Sequence, residues 1–189
     1  MQATSRTRNV PSLNQINASL RDTTKSPEIA KNAAYMLLGG RRVAKMDKQS
    51  DWGEALGNSP DQMAFLPGAF KQCPELMGYR FGLEICYDHY LGMLARRNVT
   101  PLHLHLVVSD SVVNNMGNMA MSPGGYFAHA STDSSLSQLW RRNPNGSLEN
   151  ITSNPAYLKW KGTDQTRLCG YLVPLPAPIA PPIPQDLRL

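Results

Sequence analysis

The first apolar runs of the chain predict a pair of antiparallel strands. Residues 32–38 and 41–46 are mainly apolar or alternating, and they flank Gly39 and Gly40. A Gly-Gly pair between two such runs favours a two-residue hairpin turn, because glycine readily adopts the positive φ angles that this turn requires. The sequence therefore predicts a β-hairpin whose second strand ends close to Lys45.

Two further strands are predicted in the middle of the chain. Residues 79–85 have the pattern of a buried strand, and residues 102–108 alternate, with leucines on one face and His103 and His105 on the other. Two histidines at this spacing occur in metal sites, but a zinc site needs a third ligand, and no residue with matching context supplies one. The pattern predicts strands, with no metal and no cofactor.

Turn chemistry predicts the elements of the C-terminal part. Residues 136–140 and 147–151 flank the Asn-Pro-Asn-Gly turn at 143–146, which favours a second hairpin. One more short strand is predicted near 168–173. The proline-rich residues 174–184 cannot join the interior of a sheet, because proline lacks the N–H donor. We expect an extended tail that lies across the domain or its dimer mate, or that binds a groove on a partner.

Length and composition place these elements in one domain. The chain has 189 residues and is 41% hydrophobic, which is enough for a single core. No segment is apolar for long enough to cross a membrane, and the N-terminus lacks the apolar centre of a secretory signal. Residues 1–27 are predicted to be a disordered or loosely attached leader, or alternatively the Ser-rich export signal of an effector. The predicted domain spans 28–173, and the tail spans 174–189.

The cysteines indicate the cellular compartment, and the distribution of charge indicates which classes of partner to expect. Cys73, Cys86 and Cys169 form no even disulfide framework, which favours a reducing compartment and hence a cytoplasmic protein. The formal charge is +5, but the basic residues occur in scattered pairs without a block or an aromatic-interleaved stripe. Such pairs are typical of a solvated surface, so we expect neither a nucleic-acid partner nor a membrane partner.

Cys86 is the candidate nucleophile of the sequence. It follows the predicted strand 79–85 and precedes a helix predicted over 88–97. The N–H groups at the start of a helix carry a partial positive charge, which favours a thiolate and can hold a developing oxyanion. Unpaired cysteine is also among the most buried residue types, so the local pattern equally allows a small core residue.

Three motifs surround this cysteine. A Gly-Gly-Arg-x-Val-x-Lys hairpin ends at Lys45, an acid-x-x-x-Phe-x-Pro-Gly segment spans 61–68, and Gly-x-x-Ile-Cys-Tyr-Asp spans 82–88. Together they resemble the nitrilase superfamily of carbon-nitrogen hydrolases over residues 28–113, and more weakly to residue 171. The resemblance implies an α/β fold, a nitrilase-like αββα sandwich with mixed sheets that lacks its N-terminal part. It also implies assembly into homo-oligomers.

The resemblance implies a role for each matching residue. Cys86 would attack the carbon of a small-molecule amide or nitrile, giving a thioester-type intermediate that water hydrolyses. Lys45 would stabilise the oxyanion together with the backbone N–H of Tyr87. Asp61 stands where the family commonly has a second acid that positions the lysine and the substrate. Glu54, in the same loop, is the alternative for that role.

Three further polar residues are expected near the nucleophile, and the role of one of them, His89, is left open by the sequence. His89 follows the motif where the family usually continues differently, and it is either a polariser of Cys86 or a structural histidine. Asp110 follows the strand 102–108, in the region where the family's pocket residues gather, so we expect it in the substrate site. Asp88 is predicted to cap the following helix.

The family's general base has no clear counterpart. It is a glutamate well N-terminal of the lysine, and Glu28 is the one glutamate upstream of Lys45, without the matching context. A general base typically contributes about 10²- to 10⁴-fold to the rate. The sequence thus leaves two hypotheses. One is a cysteine-dependent hydrolase of non-peptide C–N bonds, and the other is a catalytically silent nitrilase-like binding module, such as a secreted bacterial effector.

Overall fold

The computed structural model describes residues 28–51, 63–71, 73–97, 102–162 and 169–178. The predicted leader and the candidate acids Glu54 and Asp61 lie outside the described residues. The described residues form a mixed α/β fold dominated by strands, as the sequence predicts. Among them, no helix is long and apolar enough to span a bilayer.

The elements follow one another in the order below. The strands are β1 (Glu28–Ala30), β2 (Ala33–Leu38), β3 (Arg41–Asp47), β4 (Met63–Phe65), β5 (Glu75–Leu76), β6 (Tyr79–Ile85), β7 (Leu102–Ser109), β8 (Met121–Ser131), β9 (Gln138–Arg142), β10 (Leu148–Asn150), β11 (Leu158–Lys161) and β12 (Cys169–Tyr171). The α-helices are α1 (Tyr87–Tyr90) and α2 (Met93–Arg96), and single 3₁₀ turns form at Met116–Asn118 and Ser134–Leu136.

A six-stranded mixed sheet organises the fold. Its strand order is β10-β9-β8-β7-β6-β5, in which β6, β7 and β8 are parallel and the outer pairs are antiparallel. The register pairs Ile85 with Val108, and Val108 with Ala130. The carboxyl ends of the three parallel strands therefore meet at one edge of the sheet, which is where ligands bind in many α/β proteins.

Both predicted hairpins are confirmed. β2 pairs antiparallel with β3 across Gly39 and Gly40, whose φ angles are 56° and 75°. β9 pairs antiparallel with β10 across a turn in which Gly146 has a φ of 87°. These signals are local, because the turn residues alone determine which backbone angles the chain can adopt.

The helix predicted over 88–97 is broken in the structure. α1 and α2 have four residues each and are separated at Gly92, which has a left-handed φ of 66°. The side-chain amide of Asn118 donates to the carbonyl oxygens of His89, at 2.9 Å, and Tyr90, at 2.8 Å, which stabilises the end of α1. Among the described residues, the helical layers that the resemblance implies are therefore reduced to two single turns.

We expect Gly92→Ala to lower the free energy of unfolding by about 2 kcal/mol. The left-handed backbone disfavours a side chain, and a Cβ at this position would lie 2.5 Å from Asn118 Oδ1. The amide would then have to move and lose its bonds to α1. Urea unfolding of the variant and the wild-type protein measures the difference.

Gly40→Ala is the matched control for this prediction. Gly40 also has a positive φ, of 75°, but no atom of the described residues lies within 4 Å of the position of a new Cβ. Its substitution measures backbone strain alone, for which we expect a loss of about 1 kcal/mol. Equal losses in the two variants would contradict the described packing of Asn118 against Gly92.

The two faces of the sheet have separate cores. Phe127 packs with Val107, Met119 and Met121 on one face. Tyr126 packs with Leu139 and Ile151 in another cluster, which the segments around β11 and β12 cover. Neighbouring residues of a strand point to opposite faces, so β8 contributes Tyr126 to one core and Phe127 to the other.

The described part of the proline-rich tail lies across the domain, which is one of the alternatives that the sequence predicts. The Tyr126 hydroxyl donates to the Pro174 carbonyl at 2.9 Å. His103 Nδ1 accepts the backbone N–H of Arg80 at 2.9 Å, so its Nε2 is left to donate to the Ala177 carbonyl at 3.3 Å. Residues 179–189 lie outside the described part of the chain.

Candidate functional site

Cys86 has a strained backbone at the junction of β6 and α1. Its φ of 50° and ψ of −110° lie in a region that non-glycine residues rarely adopt, and Met77 is the one other non-glycine residue in the described part of the chain with a positive φ. The Cys86 N–H donates to the Val108 carbonyl at 2.8 Å, and the Cys86 carbonyl accepts the His89 N–H at 3.0 Å. Strand, strained turn and helix in this order are the arrangement in which hydrolases expose a nucleophile.

A cavity of about 750 Å³, the elbow cavity, opens beside this cysteine. It lies at the carboxyl edge of β6, β7 and β8, and its volume is within the range of small-molecule sites. Its polar lining consists of Asn32, Cys86, Ser109, Asp110, Ser111 and Thr132, and its apolar and aromatic lining consists of Ile85, Tyr87, Tyr90, Val108, Val112 and Val113.

Lys45 does not share the elbow cavity with Cys86, contrary to the arrangement that the resemblance implies. Its ammonium forms an ion pair with Asp47 at 2.7 Å, and its side chain is 32% exposed. The hydrogen bond that its ammonium donates to the Asp47 carboxylate raises the pKa of Lys45 above its ordinary value. Lys45 lines a second cavity of about 270 Å³, together with Lys71 and Leu83. The structure therefore does not bring the two predicted catalytic residues together.

Lys48 is a buried lysine that the sequence interpretation missed. The alternation of β3 continues into the residue that follows the strand, so Met46 and Lys48 both face inward, and they are 3% and 1% exposed. The backbone N–H of Lys48 donates to the Asn32 carbonyl at 2.8 Å, and Asn32 lines the elbow cavity. The same alternation was available in the sequence and would have separated Lys48 from the outward-facing Lys45.

Asp88 joins the segment after β3 to the cysteine turn and does not cap α1 as predicted. Its buried carboxylate accepts the backbone N–H groups of Gln49, at 3.0 Å, and Ser50, at 2.8 Å, and also the Ser50 hydroxyl. Burial raises the pKa of Asp88, although these hydrogen bonds oppose the shift. The carboxylate thereby holds the segment that carries Lys48 against the turn that carries Cys86.

We expect Asp88→Asn to lower the free energy of unfolding by about 2 kcal/mol. Asparagine has the same shape, but its NH₂ group would oppose one of the N–H donors that the carboxylate now accepts. Hydrogen exchange at the Gln49 and Ser50 amides should accelerate in parallel. Urea unfolding together with amide exchange tests both effects.

Asp133→Asn is the control for this substitution. The Asp133 carboxylate accepts the Ser135 N–H at 2.9 Å and the Ser135 hydroxyl at 2.7 Å, but it is exposed to water. Asparagine and aspartate are comparable in such capping positions, so we expect a change below about 0.5 kcal/mol. A loss as large as that of Asp88→Asn would show that burial is not the cause.

His89 lies in the core and does not line the elbow cavity, contrary to its predicted place near the substrate. It belongs to a fully buried cluster with Glu84 and His105. One Glu84 oxygen, Oε2, lies 2.8 Å from His105 Nε2 and 3.1 Å from His89 Nδ1, and the other accepts the Leu94 N–H at 2.8 Å. Burial raises the pKa of Glu84, but the bonds from the two histidines hold it below its ordinary value.

This cluster has the residue types of a metal site but the proton arrangement of a hydrogen-bonded network. The ligand atoms of Glu84, His89 and His105 lie within 4.8 Å of one another. The outer ring nitrogens accept backbone N–H groups, from Asn115 to His89 at 3.4 Å and from Ala120 to His105 at 3.1 Å. A bound cation would move the imidazole protons to these outer nitrogens, where they would oppose the N–H donors.

Asp110 lines the elbow cavity, where the sequence predicts it. Its carbonyl oxygen accepts the hydroxyls of Ser131, at 2.6 Å, and Thr132, at 2.7 Å, and its carboxylate also accepts the Thr132 hydroxyl. These bonds tie the ends of β7 and β8 together at the cavity. Its role towards a substrate stays a prediction.

Comparison of the chain with protein-family models, with curated proteins and with solved structures finds no significant match. The nitrilase resemblance thus stays a hypothesis from the three sequence motifs. The functional interpretation depends on the geometry around Cys86 and on the residues that share its cavity.

Proposed function

We propose that this chain is a cysteine-dependent hydrolase of non-peptide C–N bonds in small amides or nitriles, similar in chemistry to the nitrilase superfamily. The observation that supports it best is the strained backbone of Cys86 at a strand-to-helix turn, where Cys86 lines the elbow cavity of about 750 Å³. Strained backbone of this kind is typical of functional sites, because the surrounding structure must hold it in place.

The proposed reaction has two covalent steps. With an amide, Cys86 Sγ attacks the carbonyl carbon, the C–N bond breaks, and the amine leaves with the proton of the thiol. With a nitrile, the attack gives a thioimidate, water adds to it, and ammonia leaves to give the same thioester. Water then attacks the thioester, the C–S bond breaks, and the carboxylic acid leaves. The backbone N–H of Tyr87 follows the nucleophile directly, which is the usual position of an oxyanion donor at such a turn.

We propose Lys48 as the cation of the site in place of Lys45, because the segment that carries it is fixed to the Cys86 turn, although Lys48 itself is not among the residues that line either cavity. Lys45 is bound by Asp47 and lines the other cavity. Lys48 is 1% exposed, and the two residues after it are held by Asp88 beside the nucleophile turn. In the proposed reaction, Lys48→Met should therefore slow acylation of Cys86 far more than Lys45→Met.

An acyl-transfer assay tests the nucleophile. With p-nitrophenyl acetate we expect a burst of about one equivalent of p-nitrophenolate and an acetyl group on the peptide that contains Cys86. Cys169 is exposed and serves as the reference for a thiol outside the site. Acetylation of Cys169 without Cys86 would refute the proposal. Ammonia release from a panel of small amides and nitriles then identifies the C–N substrate.

A binding module without turnover is the second candidate. It is favoured by the separation of Lys45 from Cys86, since the described residues do not assemble the predicted pair in one cavity. In that case small amides should raise the melting temperature without ammonia release. Cys86→Ala should then bind them as well as the wild-type protein does.

A further inference from the structure

Ser109 and His129 form a hydroxyl-imidazole pair on the wall of the elbow cavity. Ser109 Oγ lies 2.6 Å from His129 Nε2, and Ser109 lines the cavity. His129 lies behind it and is 4% exposed. The imidazole therefore reaches the cavity through the serine hydroxyl.

The register of the parallel strands places this serine beside the nucleophile. Ile85 pairs with Val108, and Cys86 and Ser109 are the next residues on the two strands. The Cys86 N–H donates to the Val108 carbonyl at 2.8 Å, so the strands are still paired at this point. Neighbouring strands are roughly 5 Å apart. The thiol and the hydroxyl thus belong to adjacent backbone positions of one cavity.

The second ring nitrogen of His129, Nδ1, lies on the side of the ring away from Ser109. Nδ1 is buried and has no hydrogen-bond partner in the part of the chain that the structure describes, although the Leu136 backbone lies close enough to raise the pKa of the ring. A proton on Nδ1 faces that backbone, which leaves the Nε2 lone pair to accept the Ser109 proton. In this tautomer the hydroxyl is oriented for proton transfer.

We propose that Ser109 and His129 are a proton relay that acts as the base for hydrolysis of the Cys86 thioester, an inference that rests on the proposed function. As water attacks the carbonyl carbon, Ser109 Oγ takes its proton and passes the hydroxyl proton to His129 Nε2. The C–S bond breaks and Cys86 leaves as the thiolate. The imidazolium then returns its proton through Ser109 to the sulfur. The relay supplies the base that the sequence does not provide upstream of Lys45.

The surroundings of His129 keep the ring neutral. Burial, and to a smaller extent His89, which faces it from α1, lower its pKa from 6.5 to about 4. The neighbours of the ring that the described residues provide on the adjacent strands are uncharged, namely Ser109 on β7, Phe127 on β8 and Gln138 on β9. The acceptor form thus predominates above about pH 4 and is lost below it. The rate of deacylation should therefore fall as the pH is lowered through about 4, with the slope expected for the uptake of one proton. This fall is the acid limb of the pH profile.

Burst kinetics with p-nitrophenyl acetate separate the relay from the nucleophile. Burst amplitude counts folded protein with a reactive Cys86, and the later steady rate per burst equivalent reports deacylation. For Ser109→Ala we expect a retained burst and a steady rate about 100-fold lower. Ser109→Thr keeps the hydroxyl and should restore most of the rate. His129→Gln should lose both the rate and the acid limb.

His103→Gln is the matched control, because His103 is a buried histidine that bonds to Arg80 and the tail, outside the cavity. It should keep the steady rate and the acid limb. A retained burst with an unchanged steady rate in Ser109→Ala would overturn the relay while the hydrolase proposal stands. Absence of a burst in the wild-type protein would instead refute the hydrolase proposal and the relay with it.

Discussion

Replacing Glu84 with alanine is expected to lower the free energy of unfolding by about 3–5 kcal/mol. The Glu84 carboxylate is 1% exposed and accepts three buried donors, from His105, His89 and the Leu94 backbone. Alanine would leave all three without an acceptor and would open a cavity under Leu94. Urea unfolding at neutral pH measures the loss.

Two further substitutions provide a scale for the loss in the free energy of unfolding that is expected for Glu84→Ala. Glu84→Gln keeps the shape, but its NH₂ group opposes donors on one side, so we expect about half of the loss. Glu75→Ala removes a carboxylate that pairs with Arg80 at 3.2 Å on the surface, where its side chain is 43% exposed. Such pairs contribute at most about 1 kcal/mol. If Glu84→Ala were as mild as Glu75→Ala, the buried network would not have the described hydrogen bonds.

Acidification from pH 6.5 to pH 4 is expected to destabilise the protein by about 3 kcal/mol through His129 alone. Burial lowers the pKa of His129 from 6.5 to about 4. Between these values the unfolded chain binds a proton that the native protein does not, so stability falls as the pH falls. His105, whose pKa burial also lowers, contributes with the same sign.

The slope of the unfolding free energy against pH tests this expectation. Urea unfolding at several pH values should show a shallower slope for His129→Gln than for the wild-type protein between pH 6.5 and pH 4. His103→Gln serves again as the control for the loss of a buried imidazole. If His129→Gln shows the full wild-type slope, other groups carry the acid sensitivity.

Sequence reasoning was accurate where the determining signal is local. The bounds of β6, the break at Gly39 and Gly40, and the later Asn-Pro-Asn-Gly hairpin follow from alternation and turn chemistry within a few residues. The position of Cys86 at the end of β6 followed from the same pattern. Its strained φ and its cavity could not be predicted, since they depend on neighbouring strands.

The errors concern residues whose role is decided by distant partners. Asp88 bonds to Gln49 and Ser50, 39 and 38 positions away, so nothing near Asp88 distinguishes it from a helix cap. His89 meets Glu84 because the short α1 turns back over β6. The choice of Lys45 followed the family motif, whereas the inward-facing residues at the end of β3 and just after it are Met46 and Lys48.

The strained turn at Cys86 also bears on how this protein can evolve. A non-glycine residue at a φ of 50° costs of order 1–3 kcal/mol, which glycine would largely relieve. Mutation towards glycine would thus gain stability and discard the thiol. The cysteine turn is a stability-activity trade-off, and its persistence in any lineage of this chain would mark continuing selection for the reactive sulfur.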